Sequence, residues 1–221
     1  MAGEVSRIGI LGAGRVGTAL ARQALKTGYE VRIASSSPPA DLAFMVDIMA
    51  PGAIAGTVET TVRDSDIVVL AVPLAKYRLL APEFFDGKLV IDAMNYWGPT
   101  DGTLAEFEAG VLSSELVQRF LPGARLVRTL NQIGYHELEE QALPTGHPQR
   151  QALAIAGDDP QARATVASII DRLGYDPVDA GPLAAAAAFN AGTPLFGGRF
   201  GRREVEDLLR SAEPVPEAAT S

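Results

Sequence analysis

Short apolar runs alternate along this chain with stretches in which apolar residues recur every three to four positions. Each run predicts a β-strand, and the runs cover residues 7–11, 30–34, 66–73, 88–95, 125–131, 152–159 and 175–181. The periodic stretches at 15–28, at 113–124 and from Pro160 onwards predict helices. Strands that alternate with helices in this way are typical of an α/β fold with a doubly wound, mostly parallel sheet.

Local signals place several helix ends. Gly28 is typical of a helix terminus, Ser113 is predicted to cap the helix that follows it, and Asp159 before Pro160 predicts another helix start. The five alanines at 184–188 predict a tightly packed helix. We therefore expect one domain over residues 1–212 with a short C-terminal extension, and a disordered tail at 213–221, which is rich in Pro and Glu.

Composition excludes several function classes. The formal net charge of −8 argues against nucleic acid and, less strongly, against anionic membranes as partners. With no cysteine and only two histidines, neither a thiol nucleophile nor a metal site is expected. The chain shows neither a signal-peptide pattern nor an apolar run of the ~20 residues that span a bilayer. We expect a cytoplasmic protein.

A glycine motif joins the first predicted strand to the first predicted helix. Gly12, Gly14 and Gly17 have the G-x-G-x-x-G spacing, which in this context indicates a Rossmann-type site for a dinucleotide. The glycines allow a tight turn, close approach of a pyrophosphate and close packing of helix on strand. A ligand-free turn or a methyltransferase loop are the alternatives, although no acidic residue lies close before Gly12, as the latter usually requires.

Three serines, Ser35, Ser36 and Ser37, follow the second predicted strand, where NAD-binding folds usually carry an acidic residue. Without a carboxylate a 2′-phosphate is admitted, and hydroxyl and backbone N–H groups can donate to it. The sequence therefore favours NADP(H), and a plain polar loop is the alternative. No candidate general acid or base is assigned, which suits direct hydride transfer between two bound cofactors.

Five segments carry a family resemblance in chain order: IGILGAGRVGTALA, SDIVVLAVP, VIDAMN, LPGARLVRTLN, and the stretch from AIAGDDPQARATV to LGYDPVDAGPL. Together they resemble the NADPH-dependent reductases of coenzyme F420, a deazaflavin, over roughly residues 7–183. They are also similar to the oxidoreductase domain of the six-transmembrane metalloreductases, which uses a flavin. The resemblance implies a Rossmann-type domain, bound NADP(H), hydride transfer to a small-molecule deazaflavin or flavin acceptor, and a homodimer.

The resemblance also implies roles for residues at matching positions. Residues implied at the pyrophosphate are Gly12, Gly14, Arg15 and Val16, and those implied at the 2′-phosphate are Ser35 and Ser36. The family commonly has arginine where Ser36 stands. Those implied along the nicotinamide and the acceptor ring are Val72, Pro73, Asn95, Asn131, Ile133 and Gly134.

Aromatic and charged residues near these positions have two interpretations each. Tyr96 and Trp97 could stack on a flat acceptor or serve core or dimer packing, and His136 could relay a proton or be a solvated histidine. The segment at 189–209 could form a lid or dimer arm, or pack in the ordinary way. Its arginines, Arg199, Arg202 and Arg203, could attract an acidic acceptor or form a solvated face.

Three function hypotheses remain open. The leading one is an NADP(H)-dependent oxidoreductase that exchanges hydride with a deazaflavin. The second is an NADPH-dependent reductase of a flavin or of a small carbonyl or imine compound. The third is a non-catalytic NADP-binding sensor or interaction module, which would bind the dinucleotide without turnover.

Overall fold

The computed structural model describes residues 5–102, 107 and 111–212. The predicted tail at 213–221 lies outside these residues. Within the described residues eight strands form one sheet, and they are, in chain order, β1 (Arg7–Leu11), β2 (Glu30–Ala34), β3 (Ile54–Gly56), β4 (Ile67–Leu70), β5 (Leu89–Asp92), β6 (Arg125–Arg128), β7 (Ala152–Ala156) and β8 (Asp176–Gly181).

Eight α-helical segments are described around the sheet. They are α1 (Arg15–Lys26), α2 (Pro39–Met49), α3 (Val58–Arg63), α4 (Gly98–Asp101), α5 (Ser113–Phe120), α6 (Glu137–Glu140), α7 (Pro160–Leu173) and α8 (Arg202–Ser211). Three 3-10 helices add to them, at Leu74–Leu79, Pro82–Phe85 and Leu183–Phe189. The alanine run at 184–188 is thus helical as predicted, with the tighter 3-10 geometry.

The strand order is β3-β2-β1-β4-β5-β6-β7-β8. Neighbouring strands are parallel except for β6 and β7, which are antiparallel and pair at Arg128 and Ala156. The predicted α/β fold with a doubly wound, mostly parallel sheet is confirmed. Strand order reverses between β1 and β4, and ligands of such folds bind outside the carboxyl ends of the strands at this point.

Burial follows the predicted pattern of apolar runs. Strands β4 and β5 are buried at every position, because helices cover both faces of the sheet. One cluster of buried residues packs α1 and α7 against one face of the sheet. A second cluster packs α5 and residues of all three described 3-10 helices against the other face. A third cluster joins β7 and β8 to α8 and to the Leu183–Phe189 helix.

Helix starts agree with the predictions in one case and differ in another. Asp159 caps α7, since its carboxylate accepts the backbone N–H groups of Gln161 and Ala162. The predicted cap at Ser113 is wrong: Ser113 is the first residue of α5, the N-cap position is Leu112, and no side chain caps the helix. A serine caps a helix only from the N-cap position, and Ser113 lies one residue too late for that role.

Candidate functional site

The glycine motif forms the sharp junction between β1 and α1. Gly12 has φ +122°, and a side chain there would overlap the Ala71 carbonyl at the end of β4. A side chain at Gly17 would overlap the Gly12 carbonyl oxygen, so Gly17 permits α1 to lie against β1. Gly14, at the N-cap position of α1, has open space where its Cβ would stand. The three glycines therefore have the geometry that a bound pyrophosphate requires.

A cavity of about 500 Å³ opens beside this junction, outside the carboxyl ends of β1, β2 and β4. We call it the serine cavity. Several residues predicted to bind the dinucleotide line it, namely Gly12, Gly14, Ser35, Ser36, Ser37, Val72 and Pro73. Ser35 Oγ accepts the backbone N–H of Ser37 at 3.1 Å, which folds the serine loop back on itself. The serine cavity is thus placed and sized for a nucleotide.

Two charged residues that the sequence analysis did not assign also line the serine cavity. Asp41 lies in the first turn of α2, and Lys76 lies in the 3-10 helix that follows β4. The signal that could have found Lys76 is its position just past the carboxyl end of a buried strand, where such folds bind ligands.

A second cavity, of about 480 Å³, lies outside the carboxyl ends of β5 and β6. We call it the asparagine cavity. Among the predicted residues it is lined by Val16, Asn95, Trp97, Asn131, Ile133 and Gly134. Val16 follows the glycine loop on α1, so the loop lies between the two cavities. A dinucleotide whose pyrophosphate meets the start of α1 can therefore place one half in each cavity.

A fully buried ion pair holds the asparagines in place. Arg128 at the end of β6 and Asp92 at the end of β5 are 0% exposed, and Arg128 Nη1 lies 3.0 Å from Asp92 Oδ2. Arg128 Nη2 also donates to the side-chain oxygens of Asn95 and Asn190, each at 3.1 Å. Burial raises the pKa of Asp92, and the adjacent guanidinium opposes that shift.

Asn131 is fixed by its backbone as well as by its side chain. Its Nδ2 donates to Phe189 O at 3.0 Å, and its carbonyl accepts Asn95 Nδ2 at 2.7 Å. The preceding Leu130 has φ +64°, a left-handed conformation that is uncommon outside glycine. Such a conformation persists only where the surrounding structure enforces it, and it occurs often at functional sites.

The C-terminal segment supplies the far wall of the asparagine cavity. Phe196, Gly197, Gly198 and Arg199 line it. Gly197 N–H donates to Gln132 O at 2.9 Å, and Gln151 Nε2 donates to Gly198 O at 3.0 Å. Because β7 is antiparallel to β6, its beginning lies at the same edge of the sheet as the end of β6. The segment therefore packs on the sheet, and the side chain of Gln151 reaches the cavity from a strand start.

Two residues predicted at the acceptor, Tyr96 and His136, do not line the asparagine cavity, and their role at the acceptor stays a prediction. The Tyr96 ring packs on Phe107 with a centroid distance of 5.4 Å, and its hydroxyl donates to Gly102 O at 2.7 Å. His136 stacks on Tyr135 at 4.1 Å and lines a separate cavity. Tyr96 thus takes part in local packing, whereas Tyr135 lines the asparagine cavity together with Trp97 and Phe196.

Arg15 also lies apart from the serine cavity. Its Nη1 donates to the Tyr135 hydroxyl at 3.2 Å, across the surface between α1 and the asparagine cavity. It lines the same side cavity as His136, so its predicted role at the pyrophosphate stays a prediction. Trp97 is 65% exposed at the mouth of the asparagine cavity. This exposure leaves a flat apolar surface free to meet a ligand.

Within the described ranges, no helix combines the length and apolar character needed to cross a bilayer. The same residues contain no group of three or more His, Cys, Asp or Glu side chains placed to hold a metal ion. The titratable side chains described in the wall of the asparagine cavity are Tyr135, Glu137 and Arg199.

Comparison with known proteins relates the chain to a group of oxidoreductases. Residues 7–96 match a family described as "NADP oxidoreductase coenzyme F420-dependent". A structure of the hypothetical protein SMa0349 from Sinorhizobium meliloti is 30% identical, with a TM-score of 0.76 over 89% of this chain and 95% of that one. A candidate F420-dependent NADP-reductase from Arthrobacter sp. FB24 is 23% identical, with a TM-score of 0.72 over 90% of this chain and 100% of its own.

A curated relative comes from an animal. The chain is 27% identical over 190 residues to the metalloreductase STEAP3 of Rattus norvegicus. The match covers 85% of this chain and 36% of the rat protein. The chain thus spans about a third of the length of that relative.

Proposed function

We propose that this chain, which belongs to the family of NADP oxidoreductases described as coenzyme F420-dependent, transfers hydride between NADPH and a deazaflavin. The observation that carries the proposal is the pair of cavities on either side of one glycine loop. The serine cavity suits the adenosine half of the dinucleotide. The asparagine cavity has room for the nicotinamide together with part of a second ring system.

The protein's contribution to the reaction is positioning. NADPH, when bound, supplies a hydride at its nicotinamide ring. Hydrogen bonds to Arg128, to Phe189 O and between the two asparagines hold Asn95 and Asn131 in place, and we call this set of contacts, with the Asp92–Arg128 ion pair, the buried network. The two asparagines orient the rings so that the reacting carbons approach face to face. The accompanying proton comes from solvent, which reaches the cavity past the exposed Trp97 and Arg199.

The composition of the buried network supports a role in positioning the rings and not in proton transfer. Its members are an ion pair and amides with fixed partners, and none of them needs to exchange a proton during turnover. Rigid orientation lowers the barrier of a two-substrate reaction by converting it into an effectively intramolecular step. A site built in this way accelerates hydride transfer without a general acid or base.

The experiment that tests the proposal compares acceptors. Purified protein is mixed with NADPH, and loss of absorbance is followed with a deazaflavin, with FMN, with a small cyclic imine and with no acceptor. We expect oxidation of NADPH with the deazaflavin at a rate well above that with the other acceptors. Preferential turnover of FMN or of the imine would identify the acceptor as that class instead. Binding of NADPH without oxidation by any acceptor would favour a sensor over an enzyme.

A further inference from the structure

The wall of the serine cavity combines neutral hydroxyls with two opposite charges. Ser35, Ser36 and Ser37 carry no charge, whereas Asp41 and Lys76 contribute one negative and one positive charge among the described lining residues. A 2′-phosphate is an anion and forms its strongest contacts with cations. The serines alone therefore explain why a phosphate is tolerated, but not why it would be preferred.

Lys76 faces the cavity because of the periodicity of its 3-10 helix. Residues three apart in such a helix lie on the same side. Leu74 and Tyr77 are 0% and 3% exposed and anchor one side of the helix in the core. Lys76 and Leu79 share a different side of the helix, and both line the serine cavity. The helix is further fixed at its start, where Ala75 N–H donates to Asp101 Oδ1 at 2.9 Å.

Three arginines on neighbouring elements already have partners within the described part of the chain. Arg32 on β2 lies 3.9 Å from Asp64, and Arg63 pairs with the same carboxylate at 2.8 Å. Arg78, two residues after Lys76, donates to the Tyr77 hydroxyl at 2.9 Å. For Lys76, in contrast, the described part of the chain shows neither an ion pair nor a side-chain hydrogen bond. Its flexible stem leaves the ammonium free to move to an anion in the cavity.

We propose that Lys76 selects NADP(H) over NAD(H) by pairing with the 2′-phosphate across the serine cavity. Asp41 opposes this preference, because its carboxylate repels a phosphate and can accept the hydroxyls of an unphosphorylated ribose. The cation that commonly follows the first serine in this family is thereby replaced by one from a different element of the fold. This inference rests on the proposed binding of NADPH but not on the identity of the acceptor.

The test measures dissociation constants for NADPH and NADH by calorimetry, without any acceptor. We expect Lys76→Met to weaken NADPH binding about tenfold or more, the effect of losing one charge-assisted contact. NADH binding should change less than about twofold, because NADH has no 2′-phosphate to lose this contact. Lys76→Arg should retain the preference for NADPH, and Asp41→Asn should increase it.

A matched control is Arg78→Met, which removes the same charge from the same 3-10 helix without altering the cavity wall. It should leave the ratio of the two dissociation constants unchanged. Equal weakening of NADPH and NADH by Lys76→Met, or no weakening of either, would overturn the inference and leave the proposed function standing. If the unaltered protein binds neither dinucleotide, the proposed function falls as well.

Discussion

The residue that organises the candidate site is a buried arginine. Arg128 touches the carboxylate of Asp92, the carbonyl of Met94 and the side chains of Asn95 and Asn190. It thus joins the end of β5 to the end of β6 and to the residue after the last 3-10 helix. A charge that is fully buried is tolerated only when it is paired and hydrogen-bonded. The pair therefore contributes more to the geometry of the asparagines than to net stability.

Removing the acid and removing the base of this ion pair should change the pH dependence of stability in different ways. Asp92→Asn leaves a guanidinium that cannot lose its proton, so we expect a loss of about 3–5 kcal/mol in the free energy of unfolding at any pH near neutral. Arg128→Met leaves a buried carboxyl whose pKa rises above that of the unfolded chain. Such a group can become neutral in the folded protein, so its cost is small in acid and grows as the pH rises.

Urea unfolding at pH 5 and pH 8 distinguishes the two variants. The loss of unfolding free energy relative to the unaltered protein should be larger at pH 8 than at pH 5 for Arg128→Met. For Asp92→Asn this loss should be similar at the two pH values. The sign follows from linkage, since a raised pKa in the folded state makes stability fall as pH increases through the interval between the two pKa values. A pH-independent loss in Arg128→Met would show that Asp92 stays charged without its partner.

Two substitutions at the junction of β1 and α1 should affect ligand binding and folding separately. Gly14→Ala places a methyl group in open space, so we expect the variant to fold normally and to lose NADPH affinity about tenfold or more through contact with the pyrophosphate. Gly17→Ala forces a methyl group onto the Gly12 carbonyl, which should separate α1 from β1 and lower stability. Thermal unfolding and calorimetric titration with NADPH measure the two effects. Normal NADPH binding by Gly14→Ala would contradict the placement of the pyrophosphate.

The carboxylate of Asp66 joins the starts of strands β1 and β4. The carboxylate of Asp66 accepts the side chain of Arg7 at 2.6 Å and the backbone N–H groups of Ser6 and Arg7 at 3.0 and 2.9 Å. These contacts, chiefly the Arg7 side chain, lower the pKa of Asp66 to about 2. A depressed folded-state pKa stabilises the protein above the unfolded value, and this stabilisation is lost as pH falls through the folded value.

Acid unfolding should therefore depend on Asp66 between about pH 4 and pH 2. In that interval Asp66→Asn should lose stability less steeply than the unaltered protein, because it has no carboxylate to protonate there. Asp47→Asn on α2 is the matched control, since the described chain shows no hydrogen bond or ion pair for the Asp47 side chain. Identical slopes for all three proteins in urea titrations at pH 2, 3 and 4 would refute the role of Asp66.

The sequence predicted those elements in which the pattern of apolar residues follows directly from burial or from backbone geometry. Buried central strands read as continuous apolar runs, and the glycine motif imposes one backbone geometry on the β1–α1 junction. Helix α2 was missed because it is apolar on both sides: Leu42 and Val46 are buried, whereas Phe44 and Ile48 are 74% and 61% exposed. Such a helix has no amphipathic period to detect. Strand β3, with three residues, is too short for an alternation to show.

At the scale of the whole molecule, sequence reasoning located strand ends but not the contacts between them. Asn95 and Asn131 were predicted from their positions after two strands. Arg128 was read as an ordinary strand residue, because a pair between two strands appears in no local pattern. Gln151 was missed for a topological reason, since alternating strands and helices suggest parallel neighbours and β7 is antiparallel to β6. Prediction from one sequence thus reaches the edge of the sheet where ligands bind and stops short of its side-chain network.

Charge influences which acceptors can enter the asparagine cavity. A net charge of −8 repels anionic acceptors, yet Arg199 places a positive charge in the wall of the asparagine cavity. FMN and riboflavin share one ring system and differ by a phosphate. For the reduction of each by NADPH, Arg199→Gln should raise KM for FMN several-fold and leave KM for riboflavin unchanged, because only FMN has a phosphate to pair with the guanidinium.

The control for this prediction is Arg210→Gln, which removes the same charge from the far end of α8, where Arg210 pairs with Asp207. It should leave both KM values unchanged. Raising the ionic strength should diminish the advantage of FMN in the unaltered protein, since salt screens exposed charges. Should neither flavin be reduced, quenching of ring fluorescence gives the corresponding dissociation constants. An equal effect of Arg199→Gln on both flavins would mean that Arg199 packs against the ring, and the cavity would then select its acceptor by shape rather than by charge.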